Sequence, residues 1–210
     1  MKKIVSKLLN VLLVFTILVV IAAIVVPFHL MNLEQAHRIA KWKSEYEELS
    51  YSFNLANMYD GKLVPKQTEN GKILTEDYLY ENLKPYFNLA DDNFSVVSKY
   101  RYKQMNGKRV SKSSDFYFDK FMFAKNGAML SVKRNENAKS DDDSLFYMFV
   151  DINGTQKPNK IGQDIFFLNI FKDRVSAVGY GKDNINLKTD CSPIGSGIYC
   201  SAYYLLGGRF

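Results

Sequence analysis

The chain has 210 residues, of which 47% are hydrophobic and 24% are charged, so it is neither a largely disordered protein nor a multi-pass membrane protein. Its 28 basic and 22 acidic residues give a formal net charge of +6. The basic residues are too scattered along the sequence to argue for a nucleic-acid partner, and we expect none. The length fits one ordinary domain with an appendage.

The appendage is an apolar N-terminal segment. From Leu8 to Phe28 no residue is charged, and a helix needs roughly 20 apolar residues to cross a membrane. Lys2, Lys3 and Lys7 precede this segment, and no acidic residue does. The positive-inside rule therefore predicts a single-pass protein of the cytoplasmic (inner) membrane, with a cytoplasmic N-terminus and the rest exported.

A cleavable signal peptide is the rival interpretation of this segment. Ala22 and Ala23 are small residues of the kind found at cleavage sites. However, the apolar region of a signal peptide is typically ~7–15 residues long, and this one is longer. We therefore favour a retained anchor. This interpretation divides the chain into a cytoplasmic tip and membrane-spanning part, residues 1–30, and an exported globular domain, residues 31–210.

Beyond Pro27 the sequence becomes amphipathic. Asp60-Gly61 supplies a stop of the kind found just past a helix end. No linker separates this region from the apolar segment, so we predict one long helix over residues 8–59, kinked at Pro27 because proline lacks a backbone donor. Six apolar residues recur at steps of three and four, the spacing of one helical face: Ile39, Trp42, Tyr46, Leu49, Phe53 and Ala56.

The rest of the chain predicts one more helix and then strands. Thr75 as an N-cap, with acidic residues in the first turn, favours a helix over Glu76–Leu89, which Pro85 should bend or end. Asn126-Gly127 is a hairpin signal between two strands. Helices followed by an antiparallel meander indicate an α+β fold. The strand runs, rich in β-branched and aromatic residues, are FSVVSKYRY (94–102), DFYFDKFMF (115–123), AMLSVKR (128–134), LFYMFVDI (145–152) and DIFFLNIF (164–171).

The two cysteines flank a short loop near the C-terminus. Cys191 and Cys200 enclose eight residues that include one proline and two glycines. In an exported domain they should pair as a disulfide, which is worth roughly 2–3 kcal/mol for a loop of this size. A metal site is the alternative, but the CxxC spacing is absent and both histidines, His29 and His37, lie close to the apolar segment.

Oxygen ligands gather in one Gly- and Pro-containing connection. Asp151, Asn153 and Asp164 could contribute to a calcium site, because Ca²⁺ takes several oxygen ligands from such loops. Their spacing does not fit an EF-hand. The alternative is that they form Asx-turns between two strands, which we favour. No other cofactor is expected. The sequence has no Gly-rich phosphate loop, HExxH or GxSxG motif, and we predict that the protein is not an enzyme.

This layout resembles type IV pilins and the pseudopilins of type II secretion: a charge-free span ending near a proline, a long amphipathic helix, a small antiparallel sheet and a C-terminal disulfide loop. The segment 11–27, VLLVFTILVVIAAIVVP, looks like the hydrophobic half of a prepilin N-terminus. Residues 149–171 and SAYYLLGG (201–208) are similar to the C-terminal part of pseudopilin-like proteins. The resemblance implies a structural subunit whose partners are the inner membrane and other pilin or pseudopilin subunits.

The N-terminal signature departs from that family at two positions. Counting back from Pro27, the family's glycine falls on Val5 and its glutamate on Asn10. A resemblance with these departures implies a minor pilin or pseudopilin rather than a major filament subunit. Asn10 is then either the polar contact of the span or, three residues from Lys7, a residue solvated near the headgroups. The alternative is a monomeric, membrane-tethered binding module of the same fold.

Overall fold

The structure, a computed structural model, describes residues 2–60, 76–90, 95–96, 100–140 and 143–209. The chain forms two units, Met1–Arg38 and Ile39–Phe210. The sequence-based boundary at residue 30 lies eight residues before this division.

Helix α1 extends over Lys2–Asp60 and contributes to both units. It therefore begins six residues earlier and ends one residue later than predicted. Pro27 lies inside α1, which is not interrupted there. Within the described residues, α1 is the one helix long and apolar enough to span a membrane.

The sheet belongs to the second unit and is antiparallel throughout. Its strands follow one another in chain order, so each strand pairs with its neighbours in sequence, as expected of a meander. This confirms the α+β prediction. Among the described residues there are six strands: β1 (Ser95–Val96), β2 (Lys120–Phe123), β3 (Met129–Arg134), β4 (Phe146–Asp151), β5 (Ile165–Ile170) and β6 (Val175–Ala177).

Two of the predicted strand runs are not strand throughout. Residues 100–102 of the run 94–102 lie outside any strand, and residues 94 and 97–99 of that run are outside the described residues. In the run 115–123 only β2 is a strand, because the hydroxyl of Tyr102 accepts a hydrogen bond from Phe118 N (2.8 Å) and donates one to Phe116 O (2.9 Å). A side chain, rather than a neighbouring strand, thus satisfies the backbone there. β6 was not predicted.

Helix α2 spans Glu76–Leu83 and ends six residues earlier than predicted. Pro85 accounts for the difference, because it cannot continue the helical hydrogen bonding and the chain turns there. Leu89, the predicted last residue, instead forms a β-bridge with Ala124. The predicted N-cap Thr75 and the predicted helix stop at Gly61 lie outside the described residues.

The sheet is buried on both faces. The second half of α1 packs on one face, where Trp42 and Phe53 join Met148 in one core cluster. The other face carries a second cluster that includes Phe149 and Phe167, covered by the irregular segment 100–118. Alternate residues of β4 therefore enter different clusters, which is the period of a strand.

Two short helices flank the disulfide loop, α3 (Asn184–Asp190) and α4 (Cys200–Leu205), and neither was predicted. Asp183 is the N-cap of α3, with its carboxylate accepting from Asn186 N at 2.8 Å. At six or seven residues, these helices are too short to show a clear 3.6-residue period in the sequence.

Candidate functional site

The apolar half of α1 has no packing partner within the described chain. The large apolar side chains between Val11 and Val26 are 44–68% exposed. Thr16 satisfies its own hydroxyl, which donates to Leu12 O (2.9 Å) and Leu13 O (2.8 Å). Asn10, the other polar residue of the span, is exposed, and its side chain makes no hydrogen bond within the described residues. Water, a lipid headgroup or another helix is left to pair with its amide.

The three predicted orientation residues lie at the start of the same helix. Lys2, Lys3 and Lys7 all fall in the first two turns of α1, and Lys7 is exposed. The N-terminal side of the apolar segment is thus basic, as the positive-inside rule requires of a cytoplasmic end. The orientation itself stays a prediction.

The second half of α1 is anchored through Trp42. Its ring is fully buried and stacks on Phe166 of β5, with 4.5 Å between ring centroids. Its indole Nε1 donates to Ser201 O at 3.0 Å, and Ser201 Oγ accepts from Phe167 N at 2.8 Å. One side chain therefore joins α1 to both β5 and α4.

A buried carboxyl group makes a second connection between α1 and the sheet. Glu45 is 6% exposed, and its Oε1 accepts from Asn126 Nδ2 at 2.9 Å. Asn126 lies in the β2–β3 turn and also accepts from Ala128 N at 3.0 Å, so the predicted hairpin is confirmed and its turn residue contacts the helix. Burial raises the pKa of Glu45, which the Asn126 hydrogen bond partly offsets.

The predicted disulfide between Cys191 and Cys200 is present, with 4.8 Å between the two Cα atoms and both residues buried. Asp190 organises the loop that it closes: its carboxylate accepts from Tyr199 N at 2.7 Å and from Ser196 N at 3.1 Å. Gly195 passes so close to the carbonyl of Asp190 that any Cβ there would overlap it. The loop is therefore fixed at its base by buried cysteines and hydrogen bonds, whereas its tip, Pro193 and Ile194, is exposed.

The structure brings the predicted oxygen ligands together beneath the β4–β5 connection. Asp151 and Asp164 are both fully buried, at 0% exposure. Asp151 Oδ1 accepts from Asn153 N at 3.1 Å, which is the predicted Asx-turn. Its Oδ2 accepts from the hydroxyl of Tyr100 at 2.5 Å. Asn153 also presents its side-chain amide to Asp151 Oδ1, with Nδ2 at 2.6 Å in the orientation that satisfies both groups.

Asp164 is held by the backbone of the same connection. Its Oδ1 accepts from Lys160 N and its Oδ2 from Asn159 N, each at 2.7 Å. Asn159 has a positive φ of 50° and a buried side-chain oxygen without a hydrogen-bond partner. Within the described residues, neither Asp164 nor Asp151 forms an ion pair with a basic side chain.

Burial dominates the electrostatics of this cluster. It raises the pKa of Asp151 to about 8, and the nearby charge of Asp164 acts in the same direction. Burial likewise raises the pKa of Asp164, against the effect of its backbone hydrogen bonds. The pKa of Tyr100 is raised by burial and by the adjacent Asp151. Asp151 therefore retains its proton at neutral pH. Its protonation avoids the repulsion between two buried carboxylates that have no basic partner.

Each of the four carboxyl oxygens of Asp151 and Asp164 accepts a hydrogen bond from the chain. Within the described residues no group of three or more His, Cys, Asp or Glu side chains is placed to hold an ion. Asp151, Asn153 and Asp164 remain the residues that would supply oxygen ligands if calcium displaced the proton of Asp151. Sequence reasoning missed Tyr100, because it lies 51 residues from Asp151 in the chain.

No protein-family model matches the chain, and neither a curated protein nor a solved structure matches it significantly.

Proposed function

We propose that this protein is a membrane-anchored structural subunit, a minor pilin or pseudopilin-like component of a type II secretion or type IV pilus system. The observation that carries the proposal is the contrast within α1. Its first half exposes apolar side chains on every side, whereas its second half buries one face against an antiparallel sheet, in a domain that also has a C-terminal disulfide loop. A subunit that bundles its span with others and displays a folded domain needs both features.

Asn10 supports assembly in particular. Apolar helices in lipid associate through close packing or polar contacts, since hydrophobicity gives no net attraction between them. Asn10 stands where the family places its glutamate, and it lacks a partner among the described residues, whereas the hydroxyl of Thr16 is satisfied within its own helix. An asparagine gives a weaker contact than a charged pair would, which favours a low-copy subunit whose partners supply the charge.

A monomeric, membrane-tethered binding module is the second candidate. The family's glycine position is Val5, so the lysines before the span would be retained, and moving them into a fibre core is costly. In this case α1 serves as an anchor only, and Asn10 is solvated near the headgroups.

In-membrane crosslinking separates the two. With a photo-crosslinking residue at Val14 of the full chain in native membranes, we expect Asn10→Leu to reduce crosslinked species and Asn10→Glu to increase them. Thr16→Val is the matched control, because it removes a polar group that is already satisfied. It should leave crosslinking unchanged.

Unchanged crosslinking in Asn10→Leu, together with no increase in Asn10→Glu, would contradict the assembly proposal. The span would then be a simple anchor, and the binding-module candidate would stand. Loss of crosslinking in Thr16→Val as well would mean that the assay reports general changes in the span rather than an Asn10 contact.

A further inference from the structure

Three basic residues from two segments of the chain lie in a row, next to the disulfide loop to which Met105 N and Asn106 N donate backbone hydrogen bonds. Lys103 forms an antiparallel bridge with Arg109 and a parallel bridge with Lys160. Backbone hydrogen bonds fix the second pairing, with Lys103 N donating to Asn159 O (3.1 Å) and Ile161 N to Lys103 O (2.9 Å). Directly paired residues project from the same face with their Cβ atoms about 4.5–5.5 Å apart. We call Lys160, Lys103 and Arg109 the basic ladder.

The basic ladder faces solvent. Tyr102, the neighbour that alternates with Lys103, is buried, whereas Lys103 and Arg109 are exposed and Lys160 is half-buried. Within the described residues, none of the three ladder side chains forms an ion pair or a hydrogen bond. The fold thus holds three like charges next to one another without a counterion from the chain.

Such an arrangement destabilises the fold, because like charges directly opposite one another repel. The surrounding sequence adds to the effect. Residues 100–114 contain five basic residues and residues 155–163 contain two, and neither segment contains an acidic residue. The rest of the chain has 21 basic and 22 acidic residues, so these two segments account for the net positive charge. A bound anion would offset the repulsion.

We propose that the basic ladder binds a linear polyanion with phosphodiester-like groups, recognised by its repeating charge. A protein partner would require an extended apolar interface core. The two segments contain none of the exposed large apolar side chains of the described chain, and the neighbouring disulfide loop contributes one, Ile194. Base recognition would require exposed aromatic rings for stacking, but Tyr100 and Tyr102 are both buried. With an apolar interface and base stacking excluded, the feature that a row of cations can recognise is the repeated negative charge of a polymer. This proposal goes beyond a structural role, and it departs from the expectation of no nucleic-acid partner.

A single-stranded thymidine oligonucleotide with a fluorescent label is a suitable probe, because it presents a regular row of phosphodiesters. Binding to the full chain in detergent micelles is measured by anisotropy over a range of salt concentrations. The variant Lys103→Gln/Arg109→Gln/Lys160→Gln removes the ladder. The control Lys125→Gln/Lys182→Gln/Lys188→Gln removes three exposed positive charges elsewhere in the same unit.

We expect the ladder variant to bind at least about 10-fold more weakly at low salt and to reduce the salt slope by roughly two, at about 0.7 per phosphate contact. The control should lose less than about 3-fold. Lys103→Arg/Lys160→Arg should retain binding, because it keeps the charges. The unfolding midpoint of the ladder variant should be no lower than that of the wild type, since repulsion has been removed.

Several outcomes would overturn the proposal. Equal losses in the ladder variant and the control would mean that binding follows net charge alone. Displacement of the probe by glycerophosphoglycerol as readily as by polyphosphate at equal phosphate concentration would assign the ladder to isolated lipid headgroups. Unchanged probe binding, with a salt-sensitive self-association by light scattering that only the ladder variant loses, would assign it to a second copy of the chain. None of these results depends on whether the span assembles.

Discussion

The two halves of α1 adopt the same secondary structure for different physical reasons. Between Val11 and Val26 the helix has no contact that would favour it in water, and its apolar side chains are exposed on all sides. A lipid environment favours a helix there, because every backbone polar group must be satisfied within the segment. Between Ile39 and Asp60 the helix is amphipathic, and its apolar face is buried against the sheet.

This difference shows that the surroundings of an apolar residue, rather than its hydrophobicity alone, determine to which free energy it contributes. A valine in the first half contributes to the free energy of membrane insertion, whereas Trp42 or Phe53 in the second half contributes to the free energy of unfolding of residues 39–210. Substitutions in the two halves should therefore affect different measurements, which gives direct ways to test the comparison.

Trp42→Ala should have the largest effect. The fully buried ring stacks on Phe166, and its Nε1 hydrogen bond to Ser201 O would also be lost. We expect the free energy of unfolding to fall by about 3–5 kcal/mol, as for other large-to-small core substitutions. Urea unfolding of the full chain in detergent, followed by tyrosine fluorescence or near-UV circular dichroism, measures it.

Tyr51→Ala is the matched control, because this aromatic side chain lies on the same helix and is 65% exposed. It should change the free energy of unfolding by less than about 0.5 kcal/mol. Val14→Ala in the first half should leave urea unfolding unchanged. A loss in Val14→Ala comparable with that of Trp42→Ala would contradict the distinction between the two halves.

Much of the second unit was predictable from sequence, and the exceptions have a common cause. The 3-and-4 spacing of apolar residues in α1 and the compact apolar runs of β3, β4 and β5 are local signals, and these elements were predicted within a few residues. The run 115–123 has the composition of a strand, but its first part is held by the side chain of Tyr102, and only Lys120–Phe123 form a strand. Tertiary contact overrode local preference there.

The candidate sites follow the same rule. Asp151, Asn153 and Asp164 share one connection, so their proximity could be predicted. Tyr100, which completes the cluster, comes from a distant segment, and so does Lys103, which pairs with Lys160 across 57 positions. Nothing in a single sequence indicates such pairings. The basic residues therefore looked scattered in the sequence although the fold lines them up.

The pH dependence of stability should come from the second unit. In the folded state the pKa of Asp151 is about 8, above the value of 3.8 expected when unfolded. Folding therefore takes up a proton between these values, so stability is highest below about pH 4 for this group and falls as the pH rises through 8. Between pH 5 and pH 9 we expect a loss of up to about 4 kcal/mol, at about 1.4 kcal/mol per unit.

Asp151→Asn is the matched variant, because it keeps the size and shape of the side chain and removes the titration. Its urea-unfolding free energy should vary much less between pH 5 and pH 9. An equally steep dependence in this variant would assign the effect to other groups, such as Asp164 or Glu45, whose pKa values are also raised by burial.

Millimolar calcium at pH 9 gives a second measurement on the same cluster. We expect no change in the midpoint of urea unfolding, and a chelator-reversible increase would support the calcium site.

Removing the disulfide should have the next largest effect. Cys191→Ala/Cys200→Ala should lower the free energy of unfolding by about 2–3 kcal/mol, because the loop is no longer closed in the unfolded chain. Thermal unfolding of the full chain with and without reductant measures it. Reductant should lower the melting temperature of the wild type and leave the variant unchanged, and equal melting of the wild type in both conditions would contradict a stabilising role.

The smallest effect is expected at the end of the first unit, where α1 has neither the apolar surface of its span nor the sheet contacts of its second half. Here Glu34 Oε1 and Arg38 Nη1 form an i,i+4 ion pair at 2.9 Å, with the Glu34 side chain 66% exposed. Such exposed helical pairs contribute about 0.3–0.5 kcal/mol and are screened by salt. Glu34→Gln should therefore increase amide hydrogen exchange over residues 34–38 by about twofold at low salt and leave urea unfolding unchanged. At high salt the exchange rate of the wild type should approach that of the variant, because screening removes the same interaction.

Glu47→Gln is the control, because Glu47 is another exposed glutamate of α1, and it should leave exchange over residues 34–38 unaltered. If Glu34→Gln instead lowered the urea midpoint as a core substitution does, this stretch would unfold together with residues 39–210, and the boundary between the two regions of α1 would have to move toward the N-terminus.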